Sequence, residues 1–225
     1  MKLKYFSHSA FQLATNDGKI ILIDPFITGN PTSPVSADTL NADYIILTHA
    51  HGDHIGDAFE IAKRCDALVI AVNELANYAI EKGLKAHNMH IGGSYNFDFG
   101  KVKFTIAHHG SLTPDGHYGG EPAGVIVTAD GQSVYHAGDT GLFYDMKLIG
   151  EMNNIDYMLL PIGDNFTMGI TDAIKAVELT DPETAIPMHY NTFPVIEADP
   201  MEFKSKVESH GTNCIVLEYG EEIEL

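Results

Sequence analysis

The chain has 225 residues, 44% hydrophobic and 20% charged, with a formal net charge of -18. That composition can build a sizeable core, while 13 basic residues with no run among them exclude a nucleic-acid or anionic-membrane surface. Cys65 and Cys214 are too few for a disulfide framework or a thiolate zinc site, and suit free thiols in a reducing compartment. The opening stretch "MKLKYFSHSAFQL" lacks the apolar core of a signal peptide, and no apolar stretch approaches membrane-spanning length, so a cytoplasmic protein is expected. Taken in chain order, runs rich in Val, Ile, Tyr and Phe predict strands at 2–6, 11–15, 19–24, 43–48, 67–72, 101–107, 123–129, 133–138, 156–162, 184–190 and 214–219. Helical patterns lie between several of them. One runs from the cap residue Asn73 to Gly83, and another from Thr171 to Asp181. A third has Asp199 as cap, Pro200 at its first position, Glu202 completing a capping box and Gly211 as stop. This alternation, with no low-complexity linker, predicts one α/β domain over 1–225.

Residues 10–24 and 123–137 match in pattern without a gap, at an offset of 113 positions: apolar strand, Asp-Gly turn, apolar strand. Two unrelated hairpins would share such a composition. A duplicated half-domain would instead place two sheets face to face with helices outside.

"THAHGDHIGD" (48–57) follows the apolar run "YIIL" and brings His49, His51, Asp53 and His54 within six positions. Imidazole suits zinc and neighbouring transition metals, and a carboxylate adds a harder donor. A loop after a strand end is also where α/β folds place ligands. An extended His-x-His pair and the Asp-His pair after it point in different directions. Two ions are therefore expected, with further ligands from elsewhere. Three other strand ends offer them: His108 and His109 in "TIAHHGS", His136 and Asp139 in "VYHAGDT", and His189 in "AIPMHYN". Spacing alone does not choose between His108 and His109.

The order His-x-His-x-Asp-His, then His-Gly-Ser, Gly-Asp-Thr and a strand-end His resembles the ligand signature of the metallo-β-lactamase superfamily. "FSHSAF", "IDPF", "MHIGG", "HAGDT", "LPIGDNFTMG" and "PMHYNTF" look like its small metal-dependent hydrolases related to the ascorbate-phosphate lactonases. The resemblance covers essentially the whole chain and implies a four-layer αββα sandwich. It implies a first metal on His49, His51 and His109, a second on Asp53, His54 and His189, and Asp139 bridging them. His108, where the family more often has an aromatic residue, is then a neighbour of the site. His136 points away from Asp139 along its strand and is read as a supporting or core residue. Two divalent ions are implied, zinc first, with manganese, iron or nickel also accepted by such ligands.

A hydroxide bridging the two ions would attack a small ester, lactone or phosphoester. Asp53 would orient it and take its proton. His8 is a candidate for substrate contact or for protonating the leaving group, against a structural role. Asp24 is expected to tie the loop beneath the metals, and Asp164 and Asn165 either to fix histidine orientation or simply to cap a loop. The loops at 28–40 and 111–122 read as mobile covers of the cleft, with His117 and Tyr118 as substrate contacts, or as plain surface connections. The expected partner is a small-molecule substrate, with no nucleic acid and no membrane; assembly is left open, a homo-oligomer included. A di-iron redox protein is a rival reading, but it favours a carboxylate where His51 stands and usually needs a flavin domain. A catalytically inactive metal-binding or partner-binding domain is the other, and the full ligand set counts against it.

Overall fold

The computed structural model describes residues 1–225. Its first sheet contains β1 (Lys2–Ser7), β2 (Ala10–Ala14), β3 (Ile20–Ile23), β4 (Tyr44–Ile46), β5 (Leu68–Val72) and β6 (Ala86–Met89) in that spatial order. The second contains β7 (Ser94–Phe97), β8 (Gly100–Ile106), β9 (Ala123–Ala129), β10 (Gln132–His136), β11 (Tyr157–Pro161), β12 (Thr184–Met188) and β13 (Asn213–Cys214), again in order. The last strand, β14 (Glu222–Glu224), returns to the first sheet and pairs antiparallel with β1. In the first sheet β1, β2 and β3 are antiparallel and β3 to β6 parallel. In the second, β7 to β10 are antiparallel and β10 to β13 parallel.

The same sheet is thus built twice. β14 sits on β1 as β7 sits on β8, and the hairpin β2–β3 takes the place of β9–β10. The repeated 15-residue pattern therefore marks a structural duplication. Both centres of the second hairpin turn, Asp130 and Gly131, have positive φ (52° and 81°), the twist that a two-residue Asp-Gly connection supplies. The two turns also touch, since Asn16 N–H donates to Asp130 Oδ2 at 2.7 Å.

The helices are α1 (Gly52–Ile55), α2 (Ala58–Cys65), α3 (Asn73–Glu81), α4 (Met146–Met152), α5 (Ile170–Thr180) and α6 (Pro200–Ser209). The larger apolar cluster fills the space between the sheets, where Leu13 and Ile21 meet Val102, Val125 and Val134, and continues out to Ile61 of α2 and Leu75 of α3. A second cluster joins the outer face of the second sheet to α4, α5 and α6 through Met158, Met146, Ala176 and Phe203. The layer order is αββα, as expected. No helix is long and apolar enough to cross a membrane.

Several local expectations shift. Asp199 caps α6 by accepting the Met201 N–H at 2.8 Å, but Glu202 pairs with Lys206 at 2.5 Å instead of closing a capping box. Asn73 lies inside α3, with Val72 as the cap residue, and α5 begins after Gly169 rather than at Thr171. The predicted strand at 214–219 leaves the ladder after Cys214. Leu217 still buries its side chain, so packing, without strand pairing, explains that apolar run.

Candidate metal centre

Because β1 and β3 run parallel to β4, and β8 runs parallel to β10, β11 and β12, their C-terminal ends gather at one rim. His8 follows β1, Asp24 follows β3, residues 48–54 follow β4, His109 follows β8, Asp139 follows β10 and His189 follows β12. The single turn of α1 carries Asp53 and His54 back toward the rim. It can leave only through Gly56 (φ +43°), where a Cβ would fall 2.5 Å from Phe26 Cα and from the Pro25 carbonyl oxygen.

The structure brings the candidate ligands together in two adjacent sets, which a third group of Asp24, His49 and His54 joins. His49, His51 and His109 place their donor atoms within 4.8 Å of one another, and so do His8, Asp53, His54 and His189. Asp139 lies between the sets. Its Oδ1 is 3.3 Å from His54 Nε2, and its Oδ2 is 3.5 Å from His109 Nε2 and 3.1 Å from His189 Nε2. Asp53 reaches only the second set, with Oδ2 3.2 Å from His8 Nε2 and 4.0 Å from His189 Nε2.

The hydrogen bonds behind this cluster assign its protons. Asp24, wholly buried, accepts the Thr48 N–H at 2.9 Å, the Thr48 hydroxyl at 2.5 Å and His54 Nδ1 at 2.7 Å. Thr48 has one hydroxyl proton and gives it to Asp24, so its oxygen accepts from His49 Nδ1–H at 3.0 Å. Both histidines thereby turn their Nε2 atoms toward the centre, where His49 Nε2 lies 3.0 Å from His51 Nδ1. His54 Nε2 faces Asp139 Oδ1 at 3.3 Å, and neither atom makes a regular hydrogen bond; both His189 nitrogens are likewise buried without one. Buried polar atoms left in this way are costly unless a proton or a metal cation lies between them. The donor chemistry, imidazole with carboxylate, fits divalent transition metals. Burial opposes a charge on His54, yet Asp139 and Asp24 on either side outweigh it and raise its pKa well above the usual value, so a proton holds the place between His54 and Asp139 that a metal cation would take. Burial likewise opposes the Asp139 carboxylate, and His189 and His54 hold its pKa well below the usual range.

His8, a candidate for substrate contact or leaving-group protonation against a structural role, is 0% exposed. Its Nε2 faces Asp53 and its Nδ1 lies 3.0 Å from Thr192 Oγ1, so this ring supports Asp53 from behind and has no open path to a substrate. Burial, with His189 beside it, lowers its pKa to about 4, which keeps the ring neutral. The backbone at His8, Asp24 and His189 is left-handed, with φ of 55°, 46° and 54°, and His189 N–H donates to the His8 carbonyl at 2.8 Å. Such conformations cost a non-glycine residue about 1–3 kcal/mol and concentrate at functional sites.

His136 uses both ring nitrogens. Nε2–H donates to the Ser9 carbonyl at 3.0 Å and Nδ1 accepts the Gly138 N–H at 3.1 Å, so it braces the turn that carries Asp139 and has no lone pair left over. His108 is exposed and stacks on Phe143, with centroids 4.8 Å apart. Asp164 and Asn165 do not orient the histidines. They form an exposed turn in which Asp164 Oδ1 accepts the Asn165 N–H at 2.8 Å. That orienting work falls to Asp24, expected to tie the loop beneath the metals, and to Thr48 and Thr192, which sequence reasoning did not single out.

The loops expected to be mobile covers are tethered. In the loop at 111–122, Asp115 accepts from Thr113 at 2.6 Å, Tyr78 at 2.8 Å and Lys82 at 3.3 Å. His117 turns to Asp115 (3.1 Å) and to the Tyr78 ring rather than to the cluster, and Tyr118 donates to Glu121. Ser111 accepts the Ala50 N–H at 3.2 Å, and Gly119 packs so closely on Ala50 that a Cβ would clash. The loop therefore buttresses the His49–His51 segment. In the loop at 28–40, Asn30 donates to Ser7 Oγ at 2.7 Å.

Residues 19–190 match a family described as the beta-lactamase superfamily domain. A UPF0173 metal-dependent hydrolase of Bacillus cereus is 54% identical, with 100% of each chain covered. Among solved structures, the metallo hydrolase Igni18 of the hyperthermophilic archaeon Ignicoccus hospitalis is 43% identical, with a TM-score of 0.91 over 99% of this chain and 97% of that one. The diiron β-hydroxylase CmlA of Streptomyces venezuelae superposes with a TM-score of 0.80 at 14% identity, over 100% of this chain and 54% of that one. At that distance the likeness concerns the fold alone, and chemistry is decided by the site.

Proposed function

The chain belongs to the beta-lactamase superfamily and is a metal-dependent hydrolase; on that premise we propose that it holds two divalent ions at the rim and hydrolyses a small ester, lactone or phosphoester. The observation that supports two ions rather than one is the position of Asp139, within 3.5 Å of histidines from both donor sets. In this reading His49, His51 and His109 hold the first ion, Asp53, His54 and His189 the second, and Asp139 touches both. Zinc is the first expectation, and manganese, iron and nickel suit the same donors.

When bound, such a pair of ions lowers the pKa of a water between them and stabilises the oxyanion that forms on attack. The protein's own contribution is orientation. Asp24 and Thr48 turn the Nε2 atoms of His54 and His49 toward the centre, as carboxylate and hydroxyl partners do at other metal-binding histidines. Asp53 has the most open carboxylate of the cluster, 33% exposed at its side chain, and so is the group that takes the proton of the attacking water. Burial works against its charge, but the His8 bond and nearby His54 hold its pKa well below the usual range, which keeps it ionised, a weak base that would hold the proton only in passing. His8, tied to Thr192, holds that carboxylate in place.

Elemental analysis of His49→Ala and His189→Ala, beside turnover of a panel of lactones, esters and phosphodiesters, tests the assignment. Each variant is expected to lose metal and activity together. A variant that keeps two metal equivalents and full turnover would overturn the ligand set.

A further inference from the structure

Loops rise from the strand ends around the metal centre, and they expose several large apolar side chains. Leu112 is 52% exposed, Tyr144 72%, Phe166 57% and Val195 58%. Closer in, Phe26 and Phe193 stand edge-on to His8 at centroid distances of 5.7 and 5.6 Å, and 6.4 Å from each other. Both are partly exposed, and together they roof the buried His8 ring. His8 in turn contacts Asp53, so one ring separates the pair from that carboxylate.

Nine of the 13 cationic side chains are tied elsewhere. Lys2, Lys19, Lys85, Lys147, Lys175, Lys204 and Lys206 pair with carboxylates outside the cluster, and Lys82 with Asp115. Arg64 donates to the carbonyls of Ala37 and Leu40. Sites that bind phosphate or carboxylate groups ordinarily supply an Arg fork or a Lys for them, and a net charge of -18 disfavours an anionic substrate further.

We propose that Phe26 and Phe193 form the apolar wall of a substrate subsite beside Asp53, and that the substrate is an uncharged ester or lactone with an apolar or aryl group. This rests on the hydrolase reading above and narrows it. The test uses the metal-loaded full chain and p-nitrophenyl acetate, butyrate and hexanoate against p-nitrophenyl phosphate and bis(p-nitrophenyl) phosphate, which share one leaving group. The neutral esters should be preferred by about tenfold or more in kcat/KM, rising from acetate to hexanoate. Phe193→Ala should raise KM for hexanoate about tenfold with two metal equivalents retained, and Phe193→Lys should shift preference toward the phosphodiester. Met152→Ala, an exposed apolar side chain of α4, serves as the unchanged control. Preference for the phosphoesters, or a chain-length gain that survives Phe26→Ala and Phe193→Ala alike, would overturn the subsite and leave the hydrolase reading standing. No turnover of any member by a protein carrying two metal equivalents would overturn both.

Discussion

The loops after β4 and β11 occupy the same place in the two sheets, yet only one builds a donor cluster. After β4 come His49, His51, Asp53 and His54, whose inward-facing atoms include a histidine nitrogen with no regular hydrogen bond. After β11 the loop ties off its backbone, although the Thr167 hydroxyl stays unpartnered. Asp164 N–H donates to the Met168 carbonyl at 3.0 Å, Phe166 N–H to the Asp164 carbonyl at 2.5 Å, and Met168 N–H to the Thr140 carbonyl at 3.1 Å. Elsewhere the duplication was used on both sides. Asp24 after β3 and Asp139 after β10 grip the two nitrogens of His54 at 2.7 and 3.3 Å. A doubled fold thus provides a rim of strand ends, and the chemistry follows from which ends carry groups that cannot satisfy one another.

That contrast is most open to breakage at Asp139. Asp139→Ala removes the group shared by both donor sets, so it should abolish binding of both metal equivalents and lower kcat/KM by on the order of 10²–10³, measured on the preferred panel substrate. Asp24→Asn keeps every ligand but weakens the acceptor that sets His54, and chelator competition should show metal affinity reduced about 10–100-fold. His136→Ala leaves the Ser9 carbonyl and Gly138 N–H unpaired in a buried place. Denaturant unfolding should register a loss of about 1–3 kcal/mol, while metal content stays near that of the wild type. Asp164→Ala, on the self-contained side, should change kcat/KM by less than about twofold, as surface substitutions usually do little. A large loss of metal in Asp164→Ala would dissolve the contrast.

The strand-end histidines were legible because each sits next to an apolar run, and because His-x-His-x-Asp-His is dense in donors. The duplication was legible in the two Asp-Gly hairpins. His109 was distinguished from His108 by family likeness alone; the physical difference, His108 stacked outward on Phe143, needs the folded chain. Thr192 could not be found from spacing, since it meets His8 across 184 positions, and a threonine carries no signal of its own. The edge strands β6, β7 and β14, "AHNM", "SYNF" and "EIE", are too polar for a periodicity reading and exist through their pairing partners. The helices α2 and α4, eight and seven residues long, were missed because two turns give periodicity little room. The Gly-rich loop at 111–122 suggested mobility by composition, whereas the donors converging on Asp115 pin it.

The most direct test of the central claim is the number of metal equivalents per chain. It would be measured by elemental analysis after zinc saturation and gel filtration, on the wild type and on Asp139→Ala side by side. Two equivalents in the wild type and fewer than about 0.2 in the variant are predicted from the shared carboxylate. One equivalent in the wild type, or two retained by Asp139→Ala, would contradict a dinuclear centre built around Asp139.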